Sequence, residues 1–149
     1  MGSLGPDDRA ALVEAFAGVP ARVRDAAAAA PPGPIPDGEW SAAEIIRHLI
    51  AVETGVWHAR FGDLAAGGEP RWGWTEPRLD DGPEDRTLDE LVATFAARRE
   101  ETVARIRTIA DEDWTRTGIH ETYGPLDVEG LLRLALGHDE EHVRAIDPD

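Results

Sequence analysis

Apolar residues recur with a helical period in four stretches of this chain, and proline- and glycine-rich connections separate them. The first stretch, Asp7 to Ala30, sets Leu12, Val13, Phe16, Val19 and Val23 on one face. Pro20 lies inside it and should kink or break the helix near Gly18. "PPGPIPDG" then forces an extended linker. The second stretch opens at "WSAAE", where Ser41 and Glu44 make a capping box and Trp40 stands at the N′ position for a hydrophobic staple. Its stripe of Ile45, Leu49, Val52 and Val56 continues to about Ala66, where Gly67-Gly68 stops it. The third opens at Thr87 with a second box completed by Glu90, carries Leu88, Leu91, Val92, Phe95, Val103 and Ile106, and ends near Ala110. The fourth starts near Asp127, a plausible N-cap, and runs to about Ile146.

No stretch alternates convincingly as a strand, so the pattern predicts an all-α four-helix bundle filling one domain, residues 1–149. The connection "GGEPRWGWTEPRLDDGPEDR", Gly67 to Arg86, is long for a compact domain, and loops of that kind are often functional. Its Trp72 and Trp74 either form a lid over a pocket or pin the loop to the bundle.

Composition narrows the picture. The apolar content of 42% in 149 residues suffices for a core. No run reaches the length of a membrane span, and "MGSLGPDDRA" lacks the basic and apolar regions of a signal peptide. A soluble, cytoplasmic protein is the expectation. There is no cysteine, hence no disulfide framework and no protein thiolate. The formal charge is −15 and all 15 basic residues are arginine; such a surface repels phosphate backbones, which argues against nucleic-acid binding.

The candidate chemistry lies in "LALGHDEEHVRAI". His138 and His142 are one helical turn apart, on the face that carries Leu131, Leu134, Ala135 and Ile146. On the second stretch His48 shares the face of Ile45, Leu49 and Val52. A lone inward histidine is usually a hydrogen-bonded core residue, but three from two helices can be satisfied together by one divalent cation. Three protein ligands also leave coordination positions open, as in catalytic zinc sites. His58 points away from the direction of His48 and should be partly exposed. His120, in "GIHETYGP", either overhangs the pocket mouth or is plain surface. "HDEEH" resembles the zincin motif, but Asp replaces the general-base Glu and no ligand helix follows. Asp139 and Glu141 either orient the ligands or are solvated residues of an acidic helix, the latter the simpler reading.

Three segments together, "EWSAAEIIRHLIAVE", "DEDWTRTGIHETYGPLDVEGLL" and "GHDEEHVRAI", make the chain similar to the DinB/YfiT-like superfamily over nearly its whole length. The resemblance implies an up-down four-helix bundle and a divalent metal, commonly zinc or nickel. It assigns the metal to His48, His138 and His142, the same three the helical wheel selects. Homodimers are common in that family. Its characterised members include thiol S-transferases that use bacillithiol, mycothiol or glutathione, and a mycothiol-dependent maleylpyruvate isomerase; many have no assigned reaction.

The preferred expectation is therefore a metal-dependent thiol S-transferase acting on a small-molecule electrophile. A bound thiol would ionise on the cation, so the chain needs no cysteine. Glu44 is a candidate base, although its capping role explains it equally well. An Ala/Arg/Gly-rich chain without lysine hints at a GC-rich bacterial genome, which brings mycothiol into consideration beside bacillithiol. The rival expectations are a metal-dependent hydrolase, a non-catalytic metal- or ligand-binding stress-response bundle, and a metal-free bundle with hydrogen-bonded histidines.

Overall fold

The computed structural model describes residues 5–31 and 33–148. Residues 1–4, which open the segment compared with a signal peptide, Pro32 of the linker and the terminal Asp149 lie outside the described residues. Helices α1 (Pro6–Ala17) and α2 (Val19–Ala29) form the first rod, broken at Gly18 as Pro20 predicts. The second rod joins α3 (Ala42–Val52) to α4 (His58–Ala66) through a π-helical segment, Glu53–Trp57. Rods three and four are α5 (Leu88–Arg107) and α6 (Val128–Ile146). No helix among the described residues is long and apolar enough to cross a membrane.

The predicted starts hold because capping is a local property. Ser41 Oγ accepts from the Glu44 amide at 3.2 Å while Glu44 Oε1 accepts from the Ser41 amide at 3.1 Å. Thr87 and Glu90 repeat the exchange, and Asp127 Oδ1 accepts from the Gly130 amide at 2.7 Å. Glu44 is thus engaged at a helix end. Leu88, placed on the core stripe by its spacing, is instead 38% exposed in the first turn of α5.

Two apolar clusters stack along the bundle. One joins Val13 and Phe16 to Val56, Phe61, Val103, Ile106 and Leu131; the other joins Val19 and Val23 to Ile45, Ile46, Leu91, Phe95 and Ile146. The first and fourth rods run from the first cluster to the second, and rods two and three run from the second to the first, so their directions are up, down, down, up. Rods two and three are parallel, and chain leaving α4 at one end must return along the bundle before α5 begins at the other. A helix of 20 residues is about 30 Å long. That distance accounts for the long 67–87 connection.

On its way back the connection runs beside the second rod. Pro77 Cγ lies 3.5 Å from where a Cβ on Gly55 would stand, and the Asp80 amide donates to the Arg47 carbonyl at 3.3 Å.

Where a strand-free fold was expected, three short strands form one sheet: β1 (Arg71–Trp72) runs parallel to β2 (Gly118–His120), which pairs antiparallel with β3 (Gly124–Leu126). Strands this short show no alternation in sequence. Gly124, at φ +73°, ends the β2–β3 turn in a conformation few other residues adopt. The Trp72 ring occupies the space a side chain at position 118 would need. Its indole N–H donates to Asp63 Oδ2 at 3.0 Å, and the Arg60 guanidinium stacks on it at 5.6 Å. Gly118→Ala is expected to displace that ring and destabilise the protein by about 1–3 kcal/mol in urea unfolding.

Candidate metal centre

His48 comes from the middle of α3, His138 and His142 from successive turns of α6, and the helical period turns all three toward the contact between these rods. The structure brings them together. Ring centroids are 5.5 Å apart for His48 and His138, 4.8 Å for His48 and His142, and 4.4 Å for His138 and His142. One donor nitrogen from each ring lies within 4.8 Å of the other two.

The returning loop fixes the first of these rings. His48 Nδ1 is 2.7 Å from the Arg78 carbonyl, which can only accept, so Nδ1 carries the proton. Nε2 is then the nitrogen with a free lone pair. The loop that carries this carbonyl is clamped two residues on: Arg47 donates to Asp80 Oδ1 at 3.0 Å and to the Asp80 carbonyl at 2.8 Å, and Arg86 donates to the same Oδ1 at 2.7 Å. Burial favours the neutral acid at Asp80, but the hydrogen bonds from Arg86 and Arg47 outweigh it and lower its pKa. Trp40 packs against His48 with the rings tilted by 52° and their centroids 4.9 Å apart, which gives the predicted staple residue a contact with the site.

His138 and His142 face each other through Nε2 atoms 3.2 Å apart. Two imidazoles about 2.0–2.1 Å from one tetrahedral ion would place their nitrogens roughly 3.3 Å apart. The other nitrogen of the His138 ring, buried Nδ1, has no partner among the described residues whether Nε2 meets its neighbour or an ion. Burial, with help from His142, His48 and Arg99, lowers the His138 pKa to about 3. Burial also lowers that of His142, together with His48 and against the pull of Glu141 and Glu76. Both rings are thus neutral near pH 7, the state in which imidazole binds a cation. The donor set fits a divalent ion with borderline nitrogen preference.

A cavity of about 380 Å³ adjoins the cluster, with His138, Glu141, Trp57, Trp74, His120 and Tyr123 among its lining residues. The two loop tryptophans divide the alternatives between them: Trp72 pins the loop, whereas Trp74, 54% exposed, stands at the cavity. His58 is half-buried near Thr102, outside this cavity, in keeping with its wheel position.

Two site-proximal residues differ from the simpler sequence reading. His120 is not plain surface but buried, because the β2–β3 hairpin folds over it. Asp139 is not solvated: its side chain is 1% exposed and paired with Arg99. Arg99 donates to Glu53 Oε1 at 2.9 and 2.7 Å, to Asp139 at 3.0 and 3.1 Å, and to the Phe16 carbonyl at 2.9 Å. Its guanidinium lies 3.7 Å from the Phe16 ring and 5.1 Å from Phe95, at the seam of the two apolar clusters. Burial alone would lower the Arg99 pKa, but Glu53 and Asp139 together raise it. Burial raises the Asp139 pKa to about 6 against the opposing pull of Arg99. The sequence held one signal for this cluster: Arg99 and Glu53 fall on otherwise apolar helix faces.

A family model described as the DinB superfamily matches residues 7–146. Among solved structures, YfiT from Bacillus subtilis, described as a probable metal-dependent hydrolase with an unusual four-helix bundle topology, superposes with a TM-score of 0.76. The two share 20% sequence identity over 99% of this chain and 89% of that one. No curated protein matches the chain in sequence.

Proposed function

This chain belongs to the DinB superfamily, and from that premise we propose that it is a divalent-metal-dependent enzyme whose ion is held by His48, His138 and His142. The observation that carries the proposal is the convergence of three imidazoles from two rods, one with its tautomer already set by a backbone carbonyl. Zinc or nickel suits the donor set. A held ion supplies Lewis acidity, lowering the pKa of a thiol or water bound to it.

The reaction proposed first is transfer of a low-molecular-weight thiol, such as mycothiol or bacillithiol, to a small electrophile. The chain supplies a cavity of about 380 Å³, within the usual range for ligand sites, with Arg60 and Arg133 in its wall as hydrogen-bond donors for the oxygen-rich groups of such thiols. It supplies no thiol of its own. Hydrolysis is the second reading, favoured by the fold shared with YfiT, a probable metal-dependent hydrolase. Zinc-loaded protein incubated with a thiol panel and a generic electrophile tests the first: metal-dependent conjugation is expected, and its absence with every thiol removes thiol transfer. Ester, amide and lactone substrates test the second. Failure of both with the ion retained leaves a binding role. The homodimer that the resemblance implies is read by analytical ultracentrifugation.

The loop clamp predicts a measurable effect at a distance. Asp80→Asn weakens the hold of Arg47 and Arg86, and with it the Arg78 carbonyl on His48. Zinc affinity, measured by competition with a chromophoric chelator, should fall by about 10–100-fold, the usual effect of losing a group that orients a ligand. Unchanged affinity would mean the ring is held by its packing instead.

A further inference from the structure

His120 stands outside the three-histidine cluster yet lines the cavity that His138 also lines, and it is only 2% exposed. The sheet holds its backbone from both sides, paired with Trp72 of β1 and Gly124 of β3. The turn that follows folds back over the ring. There the amides of Thr122 and Tyr123 both donate to His120 Nδ1, at 2.9 and 3.3 Å. A nitrogen that accepts two N–H groups carries no proton, so the neutral ring has its hydrogen on Nε2. Burial lowers the pKa of this histidine, and the Arg60 guanidinium adds to that against Glu121. No described residue accepts from Nε2–H, which is left for the cavity. Two largely exposed rings stand beside it, Tyr123 at 4.8 Å and Trp74 at 6.2 Å between centroids.

We propose that His120 is the group that receives the substrate: its Nε2–H donates to a carbonyl-type oxygen on a flat electrophile seated against Trp74 and Tyr123. The inference rests on the reading that this cavity takes a small molecule beside the ion. When thiolate or hydroxide adds to the carbonyl carbon, the new S–C or O–C bond forms and the π pair moves onto the oxygen. The hydrogen bond from Nε2 strengthens as that charge grows, and the imidazole keeps its proton throughout. The proton lost by the thiol or water passes to solvent. After thiol addition the oxyanion takes a proton from solvent; in hydrolysis its electron pair re-forms the carbonyl as the C–O or C–N bond breaks, and the leaving group departs with a solvent proton. A neutral donor held by two backbone amides suits this role, because its direction is set before the substrate arrives.

The test uses zinc-loaded full chain and two probes of the same shape, acetophenone and α-methylstyrene, of which only the first has an oxygen acceptor. Wild type should bind acetophenone about tenfold more tightly, the contribution of one hydrogen bond. In His120→Phe the ratio should fall to about one with zinc content unchanged, and His120→Gln, which keeps an N–H donor, should restore part of it. A preference that survives His120→Phe, or none in wild type, overturns the proposal. Long-range ¹H–¹⁵N spectra of wild type give a reading independent of any variant's folding: an Nδ1-protonated His120 would also overturn it. Turnover is scored separately. A chain with the acetophenone preference but neither thiol transfer nor hydrolysis loses the catalytic reading and keeps this one.

Discussion

Arg99→Met is expected to destabilise the protein by about 3–5 kcal/mol, because it leaves two carboxylates in the bundle interior without their cation. Glu53, Arg99 and Asp139 have side-chain exposures of 0%, 1% and 1%, so solvent cannot replace the lost partner. Glu53 Oε2 already lacks a hydrogen-bond partner among the described residues. For a chain of this length the loss corresponds to a Tm lower by roughly 10–15 °C. Urea unfolding measures the change directly. The variant Arg99→Met/Glu53→Leu/Asp139→Leu should regain at least half of it, since apolar replacement of a buried ion cluster is often close to neutral. A loss below about 1 kcal/mol in the single variant would mean that water reaches the cluster.

The pairing within that cluster is not a local property of the sequence. The helix starts at Ser41, Thr87 and Asp127 were legible because a cap is satisfied within four residues. His48, His138 and His142 were legible because one period places each on an apolar face. What depends on chain returning from elsewhere was not legible. The partner of Asp139, Arg99, lies 40 residues upstream on α5, and those of His120 depend on a hairpin too short to alternate. The down–down pairing of rods two and three left only an indirect trace, a connection longer than a hairpin needs. The π-helical segment at Glu53–Trp57 has a partial physical account: Thr54 Oγ1 donates to the Ile50 carbonyl at 3.2 Å, a back-bond that competes with the helical ladder, and Gly55 follows. Neither feature would have identified it in advance.

His48→Ala is expected to reduce zinc affinity by more than about 100-fold, beyond the effect of losing an orienting group, because it deletes a donor atom itself. The loss should reach the ion and spare the fold. His48 is buried, but the rings packed against it are those of Trp40, His138 and His142, so its loss falls on the ion site. Far-ultraviolet circular dichroism of the metal-free variant should therefore match that of metal-free wild type. His138→Ala should lose the ion equally and in addition open the cavity wall beside Trp57, whose ring stands 5.9 Å away. If His48→Ala bound zinc like wild type, α6 alone would hold the ion and the loop clamp at Asp80 would have no bearing on it.

X-ray absorption at the metal edge of zinc-loaded protein tests the three-imidazole site most directly. The account predicts one ion per chain with three imidazole nitrogens at about 2.0–2.1 Å, falling to two in His48→Ala if any ion is retained. A first shell with two or fewer imidazoles in wild type, or a spectrum that His48→Ala leaves unchanged, would contradict it.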